Sequence, residues 1–219
     1  MKAVISIMTY GDTSAHDTLL RHLPMWERLG HDLFVCSPKD NPARLPSNVQ
    51  QCNIGKQGHD GPHALERQKN VMQELARRLG YDWYIVSEYD VVFLGDHLPE
   101  FTLGLSGIRN PNIHGKRFRS PWVLGPPWVM DYESLMQILA YADTHPEITE
   151  EGCMDRFLPA WAIGAGVPVH QIPQAGLFMN EITPEYYHRM IQACKSGGRF
   201  HHGIKTKECL NVLLKAYEH

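Results

Sequence analysis

Apolar and polar residues follow the periods of strands and helices along the first part of the chain. Residues 3–8 form a short, continuous apolar run, which is typical of a buried strand. Residues 14–29 carry apolar side chains at helical spacing, and Gly30 stands where a glycine often ends a helix. Residues 32–36 are again short and mostly apolar. The order strand, helix, strand predicts a parallel α/β sheet.

Similar patterns continue to the end of the chain. They predict helices over residues 64–79, 131–141, 150–164, 184–194 and 206–217, and a short strand over residues 167–172. No internal repeat and no Ser-, Gly- or Pro-rich linker divides the sequence. We therefore predict an α/β fold in which one Rossmann-like, mostly parallel sheet is flanked by helices, within a single domain over residues 1–219.

The clearest strand signal, over residues 81–93, also carries candidate chemistry. Its β-branched and aromatic residues predict a buried strand, and Glu88 and Asp90 follow where that strand should end. A buried charge must be paired, ligate a metal or become neutral. Residues two apart in an extended segment point to the same side, so both carboxylates could reach one hard cation. The alternative is that the strand reaches the surface here and both acids are solvated.

Composition limits the classes of function. The formal net charge is −3, so no basic field attracts nucleic acid. No segment approaches the roughly 20 apolar residues of a transmembrane helix, and the first residues resemble a strand rather than a signal peptide. The five cysteines are odd in number and form no C-x-x-C pair, which argues against disulfides and structural zinc. A reducing, cytoplasmic setting fits these features best.

Several features allow both a functional and a structural interpretation. Arg67 lies near the start of a predicted helix, where it could bind a phosphate or be a solvated surface residue. The segment 121–130 holds two Trp and three Pro, which suit either a surface that stacks on a sugar or a plain packing corner. Asp155 could be a general base or a carboxylate of a first helical turn. His201 and His202 form a glycine-flanked pair.

The order of these pieces resembles the GT-A-fold glycosyltransferases over roughly residues 3–206. The pieces that carry the resemblance are a first strand with its loop, the loop after strand two, a helix–strand–D-x-D stretch, a Gly-x-x-Trp segment, a segment with a catalytic acid, and a His-x-Gly element. They lie at residues 4–11, 37–40, 66–90, 124–130, 151–155 and 201–205. The sequence departs from the pattern at Glu88, where the family motif has Asp, and after Lys205, where a Lys-Pro-Trp ending is absent.

The resemblance implies metal-dependent transfer of a sugar from a nucleotide diphosphate, with UDP favoured, to a hydroxyl of a carbohydrate or another acceptor. Residues 1–95 would form the half that binds the nucleotide sugar, and residues 96–219 the half that binds the acceptor and carries catalysis. The stereochemistry of transfer stays open. Two alternatives remain: a non-catalytic module that binds carbohydrate or nucleotide sugar, and a sugar nucleotidyltransferase, although the loop after the first strand lacks the basic glycine-rich character of the latter.

The expected site draws on the ends of several strands, where open parallel sheets bind ligands. The nucleotide is expected to contact Thr9, Tyr10, Gly11 and Asp40, with Tyr10 stacking on the base. Arg67 and Lys205 are expected to hold phosphate oxygens. Mn²⁺ or Mg²⁺ is expected on Asp90, on Glu88 directly or through water, and on His201, although the pair leaves His202 open as the ligand. Asp155 is the expected general base.

Overall fold

The computed structural model describes residues 1–55, 62–109, 124–145, 154–178 and 184–218. Its strands and helices begin with a strand, a helix and a strand, as the sequence pattern predicts. In chain order they are β1 (Ala3–Met8), α1 (Thr13–Glu27), β2 (Asp32–Ser37), β3 (Gln50–Asn53), α2 (Pro62–Ala76), β4 (Trp83–Glu88), β5 (Val92–Phe93), β6 (Leu105–Arg109), β7 (Leu124–Met130), α3 (Tyr132–Thr144), α4 (Met154–Gly164), β8 (Val169–Gln171), β9 (Ala175–Phe178), α5 (Pro184–Lys195), β10 (Phe200–His202) and α6 (Lys207–Tyr217). A helix is predicted over residues 150–164, and its first four residues, 150–153, lie outside the described residues.

The central sheet contains seven strands in the order β3-β2-β1-β4-β7-β6-β8. All neighbouring pairs are parallel except those that β7 makes with β4 and β6. This arrangement confirms the predicted α/β fold with a mostly parallel sheet flanked by helices. Because β1, β2 and β4 run in the same direction, their carboxyl ends meet at one edge, where open parallel sheets bind ligands.

Strand β7 is the least expected element, because its sequence includes Pro126 and Pro127. Proline cannot donate to a strand ladder and is confined to edges or irregularities. The pairing of β6 with β7 shifts between Ser106 and Ile108, so the two prolines fall in a gap of that ladder. Trp128 is fully buried, and its indole N–H donates to the carbonyl of Leu124 at 2.6 Å. Trp128 is therefore a core residue, which favours the packing interpretation of residues 124–130; residues 121–123 of this segment, with Trp122, lie outside the described residues.

A second, three-stranded sheet in the order β5-β10-β9 adjoins the first. Helices α5 and α6 pack beside it around a separate apolar cluster that includes Val92, Tyr186, Met190 and Leu213. The chain passes from β4 in the large sheet to β5 in the small sheet through residues 89–91 alone. The acids of the predicted metal site therefore lie at the junction of the two sheets.

Three consecutive backbone carbonyls fix this junction, those of residues 89, 90 and 91. The first accepts a hydrogen bond from Nδ1 of His22 at 3.0 Å, and the third accepts one from the indole N–H of Trp26 at 3.2 Å. Both donors lie on α1. The second carbonyl accepts a bond from the backbone N–H of Ile204 at 2.9 Å. Hydrogen bonds from α1 and from Ile204 thus fix the backbone next to the two acids.

Two further expectations concern features that the described residues do not contain. No helix in the described ranges has both the length and the apolar character needed to cross a membrane. The cysteines at positions 36, 52, 194 and 209 are free thiols.

We predict that the protein becomes less stable as the pH falls, because His22 is buried as a neutral side chain. Burial first, and then the charge of Arg21, lower its pKa from 6.5 to about 4, while the bond to the Tyr89 carbonyl raises it. The unfolded chain takes up this proton as the pH falls below 6.5, whereas the folded chain does not, so stability is lost between pH 6.5 and about 4. At about 1.4 kcal/mol per pKa unit, the loss between about pH 7.5 and pH 5 is about 2 kcal/mol.

Urea unfolding at these two pH values measures the effect in the wild type and in His22→Gln. The variant is expected to show a pH dependence that is smaller by about 2 kcal/mol. His97→Gln is the control, because it removes an exposed histidine. An unchanged pH dependence in His22→Gln would contradict the prediction.

Candidate functional site

Three side chains converge where the two sheets meet: Glu88, Asp90 and His202. Glu88 is the last residue of β4, Asp90 follows two residues later, and His202 is the last residue of β10. They are 8%, 2% and 6% exposed. Each offers one ligand atom, and these atoms all lie within 4.8 Å of one another. The pair of acids predicted from the sequence is therefore buried beside a histidine, not solvated at a strand end.

The distances in this cluster fit a divalent cation. Nε2 of His202 lies 3.4 Å from Oε2 of Glu88 and 3.5 Å from Oδ1 of Asp90. Neighbouring ligands of an octahedral ion bound at about 2.1 Å are about 3 Å apart. Oδ1 of Asp90 is buried and accepts no hydrogen bond from the described residues, which leaves a lone pair for a further ligand. Two carboxylates with one imidazole suit Mn²⁺ better than Mg²⁺.

The charges in the cluster compensate one another. Burial disfavours protonation of His202, but the charges of Asp90 and Glu88 outweigh burial and raise its pKa to about 9. Burial also raises the pKa of Asp90. For Glu88 burial acts in the same upward direction, but His202 and the neighbouring groups lower the pKa. Nζ of Lys205, on a half-exposed side chain, lies 3.6 Å from Oδ2 of Asp90. Without a metal, His202 and Lys205 supply the positive charge that the two acids need.

The imidazole of His201 points away from the acids. Its Nε2 lies 3.3 Å from the carbonyl of Gly198 and 3.5 Å from Sγ of Cys194. Burial lowers its pKa to about 4. Adjacent residues of a strand point to opposite sides, so only one histidine of the pair can face the cluster. The structure thus corrects the assignment of His201 as the metal ligand: His202 occupies the expected place.

Asp155 lies in the first turn of α4 and is half-buried. Burial raises its pKa to about 7, and the charges of Glu88 and Asp90 act in the same direction, while His202 opposes them. A carboxylate at a helix start has the opposite tendency, because the helix dipole stabilises its charge. The pKa of Asp155 therefore departs from that of an ordinary first-turn acid, and the charges of the cluster contribute to the difference.

Tyr10 occupies a different place from the one expected. Tyr10 is 5% exposed. The guanidinium of Arg67 lies 4.5 Å from its ring centroid, and the centroid of the Tyr89 ring lies 5.6 Å from it in a T-shaped arrangement. Its hydroxyl donates to Oε1 of Glu88 at 2.5 Å. Protein groups therefore flank the ring that was expected to stack on a base, and Tyr10 belongs to the surroundings of the acids.

Arg67 is fully buried, which rules out the interpretation as a solvated surface residue. Burial lowers its pKa, whereas the charges of Tyr10, Glu88 and Asp40 act in the opposite direction. It thus lies between the cluster and the loop after β2. Its expected contact with a phosphate stays a prediction.

The other residues expected to bind a nucleotide lie at the carboxyl ends of β1 and β2. The backbone N–H of Thr9 donates to the carbonyl of Cys36 at 3.0 Å, and the side-chain amide of Asn41 donates to the carbonyl of Gly11. Gly11 has a φ of +87°, a conformation that favours glycine. Asp40 is exposed on the loop after β2. These contacts join the two loops next to the cluster, but Thr9 itself is fully buried, so its expected contact with a nucleotide stays a prediction.

Sequence reasoning missed the residues of α1 that support the site. His22 and Trp26 bind the backbone of residues 89–91, and Thr18 donates to the carbonyl of Lys205 at 3.0 Å. Their spacing indicated only a buried helical face, and no signal in the sequence shows which distant carbonyl a buried side chain contacts. His202 was visible as a member of the pair.

We predict that the two histidines differ in their contribution to metal binding. His202→Gln should weaken Mn²⁺ binding by about tenfold or more, since it removes a ligand of the cluster. His201→Gln is the matched control and should keep the wild-type affinity. Calorimetric titration with Mn²⁺, after a melting curve has shown that each variant is folded, measures both. Equal weakening by the two substitutions would contradict the assignment.

Comparison with known proteins does not assign the chain to a family. No protein-family model matches the chain, and no curated protein is similar to it. The site is therefore interpreted from its own residues: a buried cluster of two acids and a histidine, a half-buried acid whose pKa the charges of that cluster shift, and two loops at the ends of parallel strands.

Proposed function

We propose that this chain is a metal-dependent glycosyltransferase of the GT-A type, which moves a sugar from a nucleotide diphosphate to an acceptor hydroxyl. The observation that carries the proposal is the cluster of Glu88, Asp90 and His202 at the carboxyl edge of a mostly parallel sheet. Ligands of such sheets bind at this edge. The resemblance of the sequence to the GT-A family points to the same chemistry.

Asp90, Glu88 and His202 would hold the cation, with Mn²⁺ favoured over Mg²⁺ by the imidazole. A bound divalent cation supplies neutralisation of the negative charge that develops on the diphosphate as the sugar leaves. The nucleotide would lie over the ends of β1 and β2, against Thr9, Gly11 and Asp40. UDP is the first nucleotide to test.

Two cationic side chains of the chain itself would favour the diphosphate. Lys205 lies 3.6 Å from Asp90 and is half-exposed, so its ammonium group can turn from the carboxylate to a phosphate oxygen. Arg67 is fully buried beside Tyr10 and stays charged at neutral pH, so its charge would act on the diphosphate from behind the cluster and not through a direct contact. Both charges would stabilise the leaving diphosphate more strongly as its negative charge increases, which lowers the barrier to transfer.

Asp155 is suited to the role of general base. Its pKa of about 7 lies close to neutral pH, where a base both exists in its ionised form and accepts a proton readily. Its partial exposure lets an acceptor hydroxyl approach. The proton of that hydroxyl would pass to the carboxylate as the oxygen attacks the sugar. This feature favours an enzyme over a non-catalytic binding module, which needs no such group.

We predict that nucleotide binding depends on metal through Asp90. UDP with Mn²⁺ at about 100 times its dissociation constant should stabilise the wild type by about 2.7 kcal/mol, a shift of several degrees in thermal melting. Asp90→Asn removes the charge of a ligand and should abolish the shift. Asp96→Asn removes an exposed acid on the following turn and should keep it. A full shift in Asp90→Asn, or one that EDTA leaves unchanged, would overturn the metal role.

We predict that Asp155→Asn separates binding from turnover. The variant should keep the metal-dependent melting shift but lose about 10²–10⁴-fold in release of the nucleotide diphosphate from the donor sugar, because the base is missing. Product chromatography measures the release. Glu133→Gln, a first-turn acid of α3, is the matched control and should retain wild-type turnover.

Two results would redirect this proposal. Unchanged turnover in Asp155→Asn would assign the base to another residue. Metal-dependent affinity without any turnover in the wild type, across the common nucleotide sugars, would favour a binding module.

A further inference from the structure

One contact in the site has no part in the expected nucleotide pocket: the hydrogen bond from the Tyr10 hydroxyl to Oε1 of Glu88. It measures 2.5 Å and joins buried residues 78 positions apart. Tyr10 comes two residues after Met8, the last residue of β1, and Met8 pairs with Glu88 in the sheet. The contact therefore crosses between two adjacent strand ends.

This bond separates the roles of the two carboxylate oxygens. Oε1 of Glu88 accepts from Tyr10, while Oε2 faces Nε2 of His202 at 3.4 Å. A glutamate side chain has more rotatable bonds than an aspartate, so fixing it as a ligand costs more conformational entropy. Anchoring one oxygen in advance reduces the freedom that metal binding must remove.

The phenol itself is fixed by its neighbours. The Arg67 guanidinium lies 4.5 Å from the ring centroid, and the Tyr89 ring packs against the Tyr10 ring in a T-shaped arrangement with centroids 5.6 Å apart. Both flanking residues are buried. With little room to rotate, the ring holds its hydroxyl at one point beside Glu88.

We propose that Tyr10 is a positioning residue for Glu88: its hydroxyl holds Oε1 so that Oε2 faces the metal together with Asp90 and His202. The inference rests on the proposed metal site, and it replaces base stacking as the role of Tyr10. It also accounts for a glutamate at this position, because the tyrosine supplies the restraint that the longer side chain lacks.

Tyr10→Phe tests the proposal, with Mn²⁺ affinity measured by calorimetry in the absence of nucleotide. Hydrogen bonds to ligating carboxylates typically contribute about 10–100-fold to metal affinity, and we expect a loss in this range. Tyr84→Phe is the matched control, since it removes a tyrosine hydroxyl that donates to the Arg78 carbonyl, and it should leave the affinity unchanged. Wild-type affinity in Tyr10→Phe would overturn the proposal.

A double-variant cycle shows whether Tyr10 acts through Glu88. In the Glu88→Ala background no carboxylate remains to be held, so adding Tyr10→Phe should weaken Mn²⁺ binding no further. A further loss equal to that of the single variant would overturn the proposal. If Tyr10→Phe alone fails to fold, any loss of affinity on adding it to Glu88→Ala still overturns the proposal, because Tyr10 would then act without the carboxylate.

The readouts separate this inference from the proposed function. A wild type that binds no Mn²⁺ would overturn both. A wild type that binds Mn²⁺ as tightly as Tyr10→Phe would overturn only the role of Tyr10 and would leave the metal site in place.

Discussion

The site depends on the hydrogen bonds that hold the backbone of residues 89–91 between the two sheets. Each carbonyl of this link accepts a bond from a different residue: His22, Ile204 and Trp26. Without such bonds, a short link that places Asp90 beside Glu88 would have many conformations, and mutual repulsion would separate the two carboxylates. The same link connects β4 to β5, so its fixed course also sets how the small sheet presents His202. Backbone anchoring thus determines the geometry of the acids before any side-chain contact does.

Helix α1 is the element that joins the distant parts of the site. Besides residues 89–91, it holds Lys205, whose carbonyl accepts bonds from Thr18 and from Arg21 at 2.8 Å. One face of one helix therefore fixes two segments that are more than 100 positions apart in sequence. This explains why His22, a buried residue that touches no acid directly, is part of the architecture of the site.

Sequence periodicity predicted those strands and helices whose apolar residues follow one regular repeat. The runs that became β1, α1, β2 and β4 each follow one period, and the acids at the end of β4 were found from the alternation of strand side chains. Strand β7 was not predicted, because Pro126 and Pro127 contradict strand propensity and only the register shift opposite β6 accommodates them. The choice between His201 and His202 needed the phase of a three-residue strand, which no periodicity can fix.

The balance of charge at the junction explains how the protein tolerates buried acids without losing the ability to bind a cation. Glu88 and Asp90 cannot both stay ionised in a buried site unless positive charge lies near them. Three residues supply that positive charge. Arg67 is charged at any ordinary pH, the charge of Lys205 is on a half-exposed side chain, and His202 carries a proton that a metal can displace. On the proposed function, His202 would give up its proton to become a ligand of the cation, and Lys205 would be free to bind the diphosphate. The cations that stabilise the folded site would then also be groups that the reaction uses.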